Sequence, residues 1–198
     1  MTAESDRPHN RLTRLFHAVI AVLVISQVAT SQFMTTPGKN REEDLLFEIH
    51  ELTGIATFFV IFALWAYTFV RRRGTRTGLL FPWFSGTARS ALWIDTKHHL
   101  QAIRKFRVPE HVRNGSLASA IHGLGIILIV LMATTGVTWF IGMQLGDIGK
   151  SWAGAAKEVH EIFSNLVWAY LIGHAGFALI NQFAGKQPLS DMWSLKKD

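Results

Sequence analysis

The 198-residue chain contains no cysteine. Disulfides, iron-sulfur clusters, thiolate zinc sites and covalent cofactor attachment through Cys-x-x-Cys-His are therefore excluded. Charged residues are also scarce, at 17%, whereas 49% of the residues are hydrophobic, including seven Trp and fourteen Phe. This balance is unlike that of an ordinary soluble domain and favours a membrane protein. Any cofactor must be held by nitrogen or oxygen ligands, for which nine histidines are present.

Long apolar runs with almost no charge occur four times, each with at least the roughly 18 residues that cross about 30 Å of hydrocarbon. They predict membrane spans at about 12–34, 49–70, 117–143 and 159–183. The first run could instead be a secretory signal peptide, but it is long for one and contains a histidine. The sequence therefore predicts an all-α fold, an integral membrane four-helix bundle that forms a single domain over residues 1–198.

The distribution of lysine and arginine predicts the orientation of these spans. Sixteen of the 20 basic residues lie in the two terminal tails or between the second and third spans; the other four are Lys39, Arg41, Lys150 and Lys157. Because basic residues accumulate on the cytoplasmic side, both termini are expected in the cytoplasm and the chain in the bacterial inner membrane, in contact with lipid. The net charge of +6 then reflects topology, and no nucleic-acid partner is expected.

The segment at about 74–116, between the second and third spans, is too long for a simple turn. Apolar and aromatic residues alternate with basic ones along SGTARSALWIDTKHHLQAIRKF. This pattern predicts one or two amphipathic segments on the cytoplasmic membrane interface. A solvated basic loop that obeys the positive-inside rule explains the composition equally well.

Five histidines lie within the predicted spans or at their edges: His17, His50, His122, His160 and His174. Imidazole inside a bilayer is costly and usually functional, so this set predicts a site. The alternative for any one of them is a packed side chain that bonds a backbone carbonyl.

Helix geometry limits how these histidines can combine. Fourteen residues separate His160 from His174, which places them about 21 Å apart along a helix and within about 40° of the same face. The topology puts His50 at the level of His160 on the periplasmic side. His17 is the available partner for His174 on the cytoplasmic side, although His174 is deeper by simple counting.

Paired imidazoles from facing helices are the ligands of a six-coordinate b-type haem. Zinc would require three or four converging ligands, and neither His-Glu dipeptide has the second histidine that a metalloprotease helix requires. Arg14 lies one turn before His17, and Lys157 lies one turn before His160, so both could contact haem propionates. A small transporter whose histidines relay protons is an alternative, but it gives no reason for the fourteen-residue spacing.

Three stretches of the sequence resemble a known family: RLFHAVIAVLV, EIHELTGIATFFVIFALWAYTFVRRR and VHEIFSNLVWAYLIGHAG. They are similar to the histidine-bearing helices of the bacterial cytochrome b-561 and Ni,Fe-hydrogenase cytochrome b family, which includes formate dehydrogenase gamma subunits and the standalone superoxide oxidase. The resemblance implies two haems b, one bound by His17 and His174 and the other by His50 and His160.

Two subfamily patterns are mixed in this chain. VPEHVRNGSLASAIHG resembles the gamma-subunit type, which implies a quinone site near Asn114 and a dehydrogenase or hydrogenase partner. His122 instead resembles the standalone type, which implies a quinone or proton-transfer residue; a haem ligand or a buried hydrogen-bonding group are its alternatives. The leading interpretation is a dihaem cytochrome that relays electrons between quinone and a partner subunit or periplasmic donor. The alternative is a standalone superoxide:quinone oxidoreductase whose periplasmic basic residues attract the anion.

Overall fold

The computed structural model describes residues 9–38, 40–71, 75–109, 112, 115–186 and 189–194. Seven α-helices lie in these ranges: α1 (Arg11–Ser31), α2 (Leu45–Val70), α3 (Thr77–Leu80), α4 (Gly86–Arg104), α5 (Ser116–Gln144), α6 (Lys150–Phe183) and α7 (Ser190–Trp193). Two short 3₁₀ helices and one isolated β-bridge, between Gly38 and Arg41, complete the regular structure of the described residues. The prediction of an all-α fold is confirmed.

Four of these helices, α1, α2, α5 and α6, are long and apolar enough to cross a membrane. The predicted number of spans is therefore confirmed, but the ends differ: α1 ends at Ser31, before the predicted 34, whereas α2, α5 and α6 start before the predicted spans. Helix α6 starts at Lys150, well before the predicted start at 159. Lys157 and Glu158 interrupt the apolar run without interrupting the helix, because both residue types are good helix formers.

The outer surfaces of the long helices are strongly apolar. Val22, Leu52, Ile162 and Ile172 are 65–70% exposed. So many large apolar side chains on the surface of a chain are expected when that surface contacts lipid instead of water.

The chain divides into two compact units. The first, here called the His50 unit, consists of Phe16–Trp65 and Leu128–Ala169. The second, the His174 unit, consists of Met1–Leu15, Ala66–Ile127 and Tyr170–Asp198. The predicted single domain stays a prediction.

The His50 unit contains segments of α1, α2, α5 and α6 around an apolar core. Its buried side chains include Val24, Val28, Phe47, Ile61, Leu128, Ile129 and Val167. Asp44 caps α2, since its two carboxylate oxygens accept from the backbone N–H groups of Phe47 and Thr35, each at 2.9 Å. An N-terminal carboxylate of this kind satisfies donors that the first turn leaves open, and it fixes where α2 begins.

A glycine contact closes the turn between α5 and α6 in the His50 unit. A Cβ on Gly149 would overlap the backbone of Gly142, so the two chain segments approach as closely as glycine permits. Gly146, between them, has φ of +61°, a conformation that glycine adopts without strain. The turn therefore folds α6 back against α5 at close range.

The His174 unit is organised by polar caps and one close backbone approach. Asn10 caps α1 by accepting from the backbone N–H of Thr13 at 2.9 Å. Asp95, in the middle of α4, accepts from the backbone N–H of Leu117 at 2.8 Å, in the first turn of α5. A Cβ on Gly123 would overlap the carbonyl of Leu80, which shows that the end of α3 contacts α5 directly.

Helix α4 lies inside the segment for which amphipathic structure was predicted. None of its residues is buried, and its exposed apolar side chains include Trp93, Ile94 and Leu100. Through Asp95 it is attached to the start of a membrane-spanning helix. Its location on the membrane interface stays a prediction.

Candidate functional site

His50 and His160 face each other inside the His50 unit. His50 lies in the second turn of α2 and His160 on α6, and their ring centres are 6.3 Å apart with the planes at 78°. Both rings line a cavity of about 500 Å³, a volume typical of cofactor pockets. The structure thus brings these two predicted site residues together, and their pairing as haem ligands stays a prediction.

A threonine on a neighbouring helix holds each ring. The Nδ1 of His50 lies 3.0 Å from the hydroxyl of Thr30 on α1, and the Nδ1 of His160 lies 3.0 Å from the hydroxyl of Thr135 on α5. Neither threonine was identified from the sequence. Each contact joins two different helices, so the residue spacing within a single helix does not indicate it.

The hydrogen bonds of the two threonines favour one tautomer of each histidine. The hydroxyl of Thr30 is 2.8 Å from the carbonyl of Ser26, and that of Thr135 is 2.9 Å from the carbonyl of Leu131. When each hydroxyl donates its one hydrogen to that carbonyl, its oxygen accepts from the Nδ1–H of the histidine. The other nitrogen, Nε2, is then left as the lone-pair donor, which is the form of imidazole that binds a metal.

Gln27 and two glycines complete the surroundings of the rings. The side-chain amide of Gln27 donates to the backbone carbonyl of His50 at 2.6 Å, which fixes the backbone of this turn of α2. A Cβ on Gly54 would lie 3.4 Å from the Gln27 side chain, and one on Gly136 would lie 3.5 Å from Cε1 of His160. Positions 54 and 136 thus add no side chain to the cavity that the two histidines line.

The spacing of the two rings fits two axial ligands of one metal ion. An imidazole nitrogen lies about 2 Å from a bound transition metal and about 1.2 Å from its own ring centre, so collinear ligands place the ring centres about 6.4 Å apart. The observed 6.3 Å agrees with this value. No group of three or more His, Cys, Asp or Glu residues suited to a metal ion occurs among the described residues. A pair of imidazoles in a largely apolar cavity suits haem better than a bare ion.

Lys157, a predicted propionate contact, lies at the wall of the same cavity. Its ammonium group is 3.6 Å from the carboxylate of Glu161, and both side chains are substantially exposed, at 44% and 64%. An exposed ion pair of this kind is weak. The lysine can therefore exchange the glutamate for another carboxylate at little cost.

His174 and His122 lie together in the His174 unit. Their ring centres are 5.2 Å apart with the planes at 82°, and the ring of Tyr170 is stacked on His174 at 5.4 Å. The separation of the two histidines is about 1 Å shorter than two axial ligands of one ion require. His122 is therefore a close neighbour of His174, and its roles as a quinone, proton-transfer or haem-ligand residue stay predictions. The Nδ1 of His122 lies 2.7 Å from the carbonyl of Ala118, so this nitrogen carries the proton.

Three predicted site residues remain: His17, Arg14 and Asn114. His17 is half-buried on α1 in the His50 unit, whereas His174 belongs to the other unit, so their pairing stays a prediction. Arg14 is fully buried, and its Nη1 donates to the carbonyl of His9 at 2.6 Å. Asn114, the candidate quinone residue, lies outside the described residues.

Tyr170 is a further residue of the His174 unit that the sequence interpretation missed. It precedes His174 by one helical turn, so helical spacing could have identified it. A Cβ on Gly125 would overlap the Tyr170 phenol, which shows that this glycine makes room for the tyrosine.

Comparison with known proteins gives one result that covers almost the whole chain. The family model described as prokaryotic cytochrome b561 matches residues 8–195. No curated protein and no solved structure matches the chain significantly.

Proposed function

Because the chain belongs to the prokaryotic cytochrome b561 family and is thus a membrane b-type cytochrome of electron transfer, we propose that it relays electrons between a donor and quinone through two haems b. One haem is assigned to His50 and His160, and the other to His17 and His174. The donor is a dehydrogenase or hydrogenase partner subunit. Electrons cross the bacterial inner membrane along this path.

The geometry of His50 and His160 is the observation that carries this proposal. When bound, haem b supplies a one-electron iron couple between the two imidazoles. The chain contributes the rest: Nε2 of each histidine would hold the iron, and Thr30 and Thr135 would keep each ring in the tautomer that leaves Nε2 available. The mostly apolar cavity keeps the pair away from bulk water, which is one of the factors that set the potential of a haem.

Near His174 the proposed chemistry includes a proton. Reduction of a quinone consumes two protons as well as two electrons, so a proton-transfer group beside the electron donor is useful. His122 is in ring contact with His174, and its unprotonated Nε2 is a hydrogen-bond acceptor. We assign His122 to the quinone or proton-transfer site, and Asn114 remains a second candidate there.

The relay is favoured over a standalone superoxide:quinone oxidoreductase by the charges on the predicted periplasmic side. Attraction of superoxide would need uncompensated positive charge. Lys150 is paired with Asp147, and Lys157 is 3.6 Å from Glu161. Two of the four basic residues predicted for that side thus have an acidic neighbour, which lowers the net positive potential there.

A reduced-minus-oxidised spectrum with haem quantification tests the proposal. The purified wild-type protein should contain two low-spin haems b per chain, and His50→Ala and His174→Ala should each retain about one. His98→Ala, in the exposed part of α4, is the matched control and should retain two. A colourless protein, or loss of haem from the control alone, would contradict the assignment.

A second measurement separates the two candidate functions. A relay subunit should copurify with a dehydrogenase or hydrogenase from membranes, and the isolated cytochrome should reduce quinone only slowly when superoxide is supplied. Rapid superoxide-dependent quinone reduction by the isolated chain would favour the standalone enzyme instead.

A further inference from the structure

A second cavity, of about 690 Å³, lies in the His174 unit where α2 ends. Its lining includes two arginines, Arg71 and Arg76, and the hydroxyl residues Thr77, Ser85 and Thr87. None of the described residues that line it is acidic. The cavity therefore combines cationic and neutral hydrogen-bond donors without a carboxylate to neutralise them.

Arg71 is only partly satisfied by the protein. Its Nη2 donates to the carbonyl of Thr75 at 2.8 Å, but its Nε is buried and has no hydrogen-bond partner among the described residues. Burial lowers the pKa of Arg71 from its ordinary value, and Tyr67 acts in the opposite direction. The charge of Arg71 is not balanced by any acidic residue among the described residues that line the cavity.

The cavity is also adjacent to the membrane. Arg71 directly follows Val70, the last residue of α2, and Val70 and Phe69 are 75% and 57% exposed. Apolar side chains thus lie beside the cationic donors. A ligand that carries both an anionic group and hydrocarbon matches this combination better than a small hydrophilic anion does.

Helix α4 adds positive charge to the same unit. It starts beside the cavity, and its exposed side chains include Arg89 and Lys97. Lys97 lies over the ring of Trp93 at 5.8 Å. Basic residues together with tryptophan are typical of surfaces that contact anionic lipid headgroups.

We propose that this cavity binds the phosphate group of an anionic phospholipid, with Arg71 and Arg76 as its charged donors. Arginine suits phosphate because its planar donors can form two parallel hydrogen bonds. Basic pockets at the ends of membrane helices are known to hold such headgroups. The proposal does not depend on the electron-relay function.

The full-length, haem-loaded protein in detergent is titrated with phosphatidylglycerol, with phosphatidylcholine and with inorganic phosphate, and bound molecules are counted by native mass spectrometry. Phosphatidylglycerol should bind most tightly. Arg76→Gln should weaken it about fivefold and Arg71→Gln/Arg76→Gln about 25-fold, since a basic residue near an anionic headgroup contributes about 1 kcal/mol.

Arg104→Gln is the matched control, because it removes the same charge from the same unit about 24 Å along α4 from Ala88. It should leave phosphatidylglycerol affinity within twofold of wild type. The haem absorption spectrum of each variant shows whether it is folded. Because Arg76 is exposed, its substitution should disturb folding less than that of Arg71.

The three ligands distinguish the source of the phosphate. Preferential binding of phosphatidylglycerol that depends on both arginines supports the proposal. Binding of inorganic phosphate without a preference for the lipid would overturn the lipid assignment. Equal binding of both lipids, or equal losses in the Arg104 control, would overturn the site itself.

Discussion

Replacement of Thr30 by valine tests the proposed control of the histidine tautomer. Valine has nearly the shape of threonine but cannot accept the Nδ1–H of His50, which lies 3.0 Å from the threonine hydroxyl. Loss of an outer hydrogen bond to a metal ligand weakens metal binding about 10–100-fold, which corresponds to about 1.4–2.8 kcal/mol.

We therefore expect Thr30→Val to weaken haem binding at the His50 pair by about 10–100-fold. Thr135→Val should have a similar effect, because its contact with His160 is also 3.0 Å. The midpoint potential of that haem should rise, since the lost bond makes the ligand less basic and the ferric form depends more on a basic ligand than the ferrous form does.

The assay is haem quantification during dilution, followed by a redox titration. Thr57→Val is the matched control: Thr57 is buried on the helix that carries His50, and its hydroxyl donates to the carbonyl of Thr53 at 2.7 Å. Its removal leaves the acceptor of Nδ1 in place, so haem affinity should change less than threefold. Unchanged haem affinity and potential in both test variants, or equal changes in the control, would refute the reasoning.

Two further predictions concern space and charge in the His50 unit. Gly136→Val should lose haem from the His50 pair, whereas Gly136→Ala should retain it. The first added carbon makes an ordinary 3.5 Å contact with His160, but the branch of valine would have to displace the ring. Full haem content in the valine variant would contradict this. The cap of α2 should respond to acid: the backbone N–H of Phe47 chiefly lowers the pKa of Asp44 below its ordinary 3.8. The stabilisation is complete above pH 3.8 and is lost as the pH falls through the lowered pKa. A thermal unfolding series from pH 6 to pH 2.5 should therefore show a steeper acid loss for wild type than for Asp44→Asn, and identical slopes would show that the cap is not the cause.

The sequence predicts the membrane-spanning helices well because hydropathy is a local property. Their ends are predicted less well, as the start of α6 at Lys150 shows, because charged side chains can remain helical outside the hydrocarbon. The pairing of His50 with His160 follows from topology and depth alone. The contribution of Thr30 and Thr135 does not, since it depends on how helices that are distant in sequence are rotated against each other.

The loop between α2 and α5 illustrates the same limit. Its amphipathic pattern predicts helical structure, and α3 and α4 are present there. The side chain that attaches α4 to the membrane helices, Asp95, is an ordinary acidic residue in the sequence. Its partner is a backbone N–H of Leu117, 22 positions further on, and backbone donors leave no signature in residue type.

Helix α6 is continuous from Lys150 to Phe183 and carries both His160 and His174. Insertion or deletion of one residue between them would rotate one imidazole by about 100° relative to the other. If both histidines are haem ligands, as proposed, this interval cannot change by one or two residues without misaligning one of them. In engineering terms, α6 is the segment of fixed length around which variants of this cytochrome have to be designed.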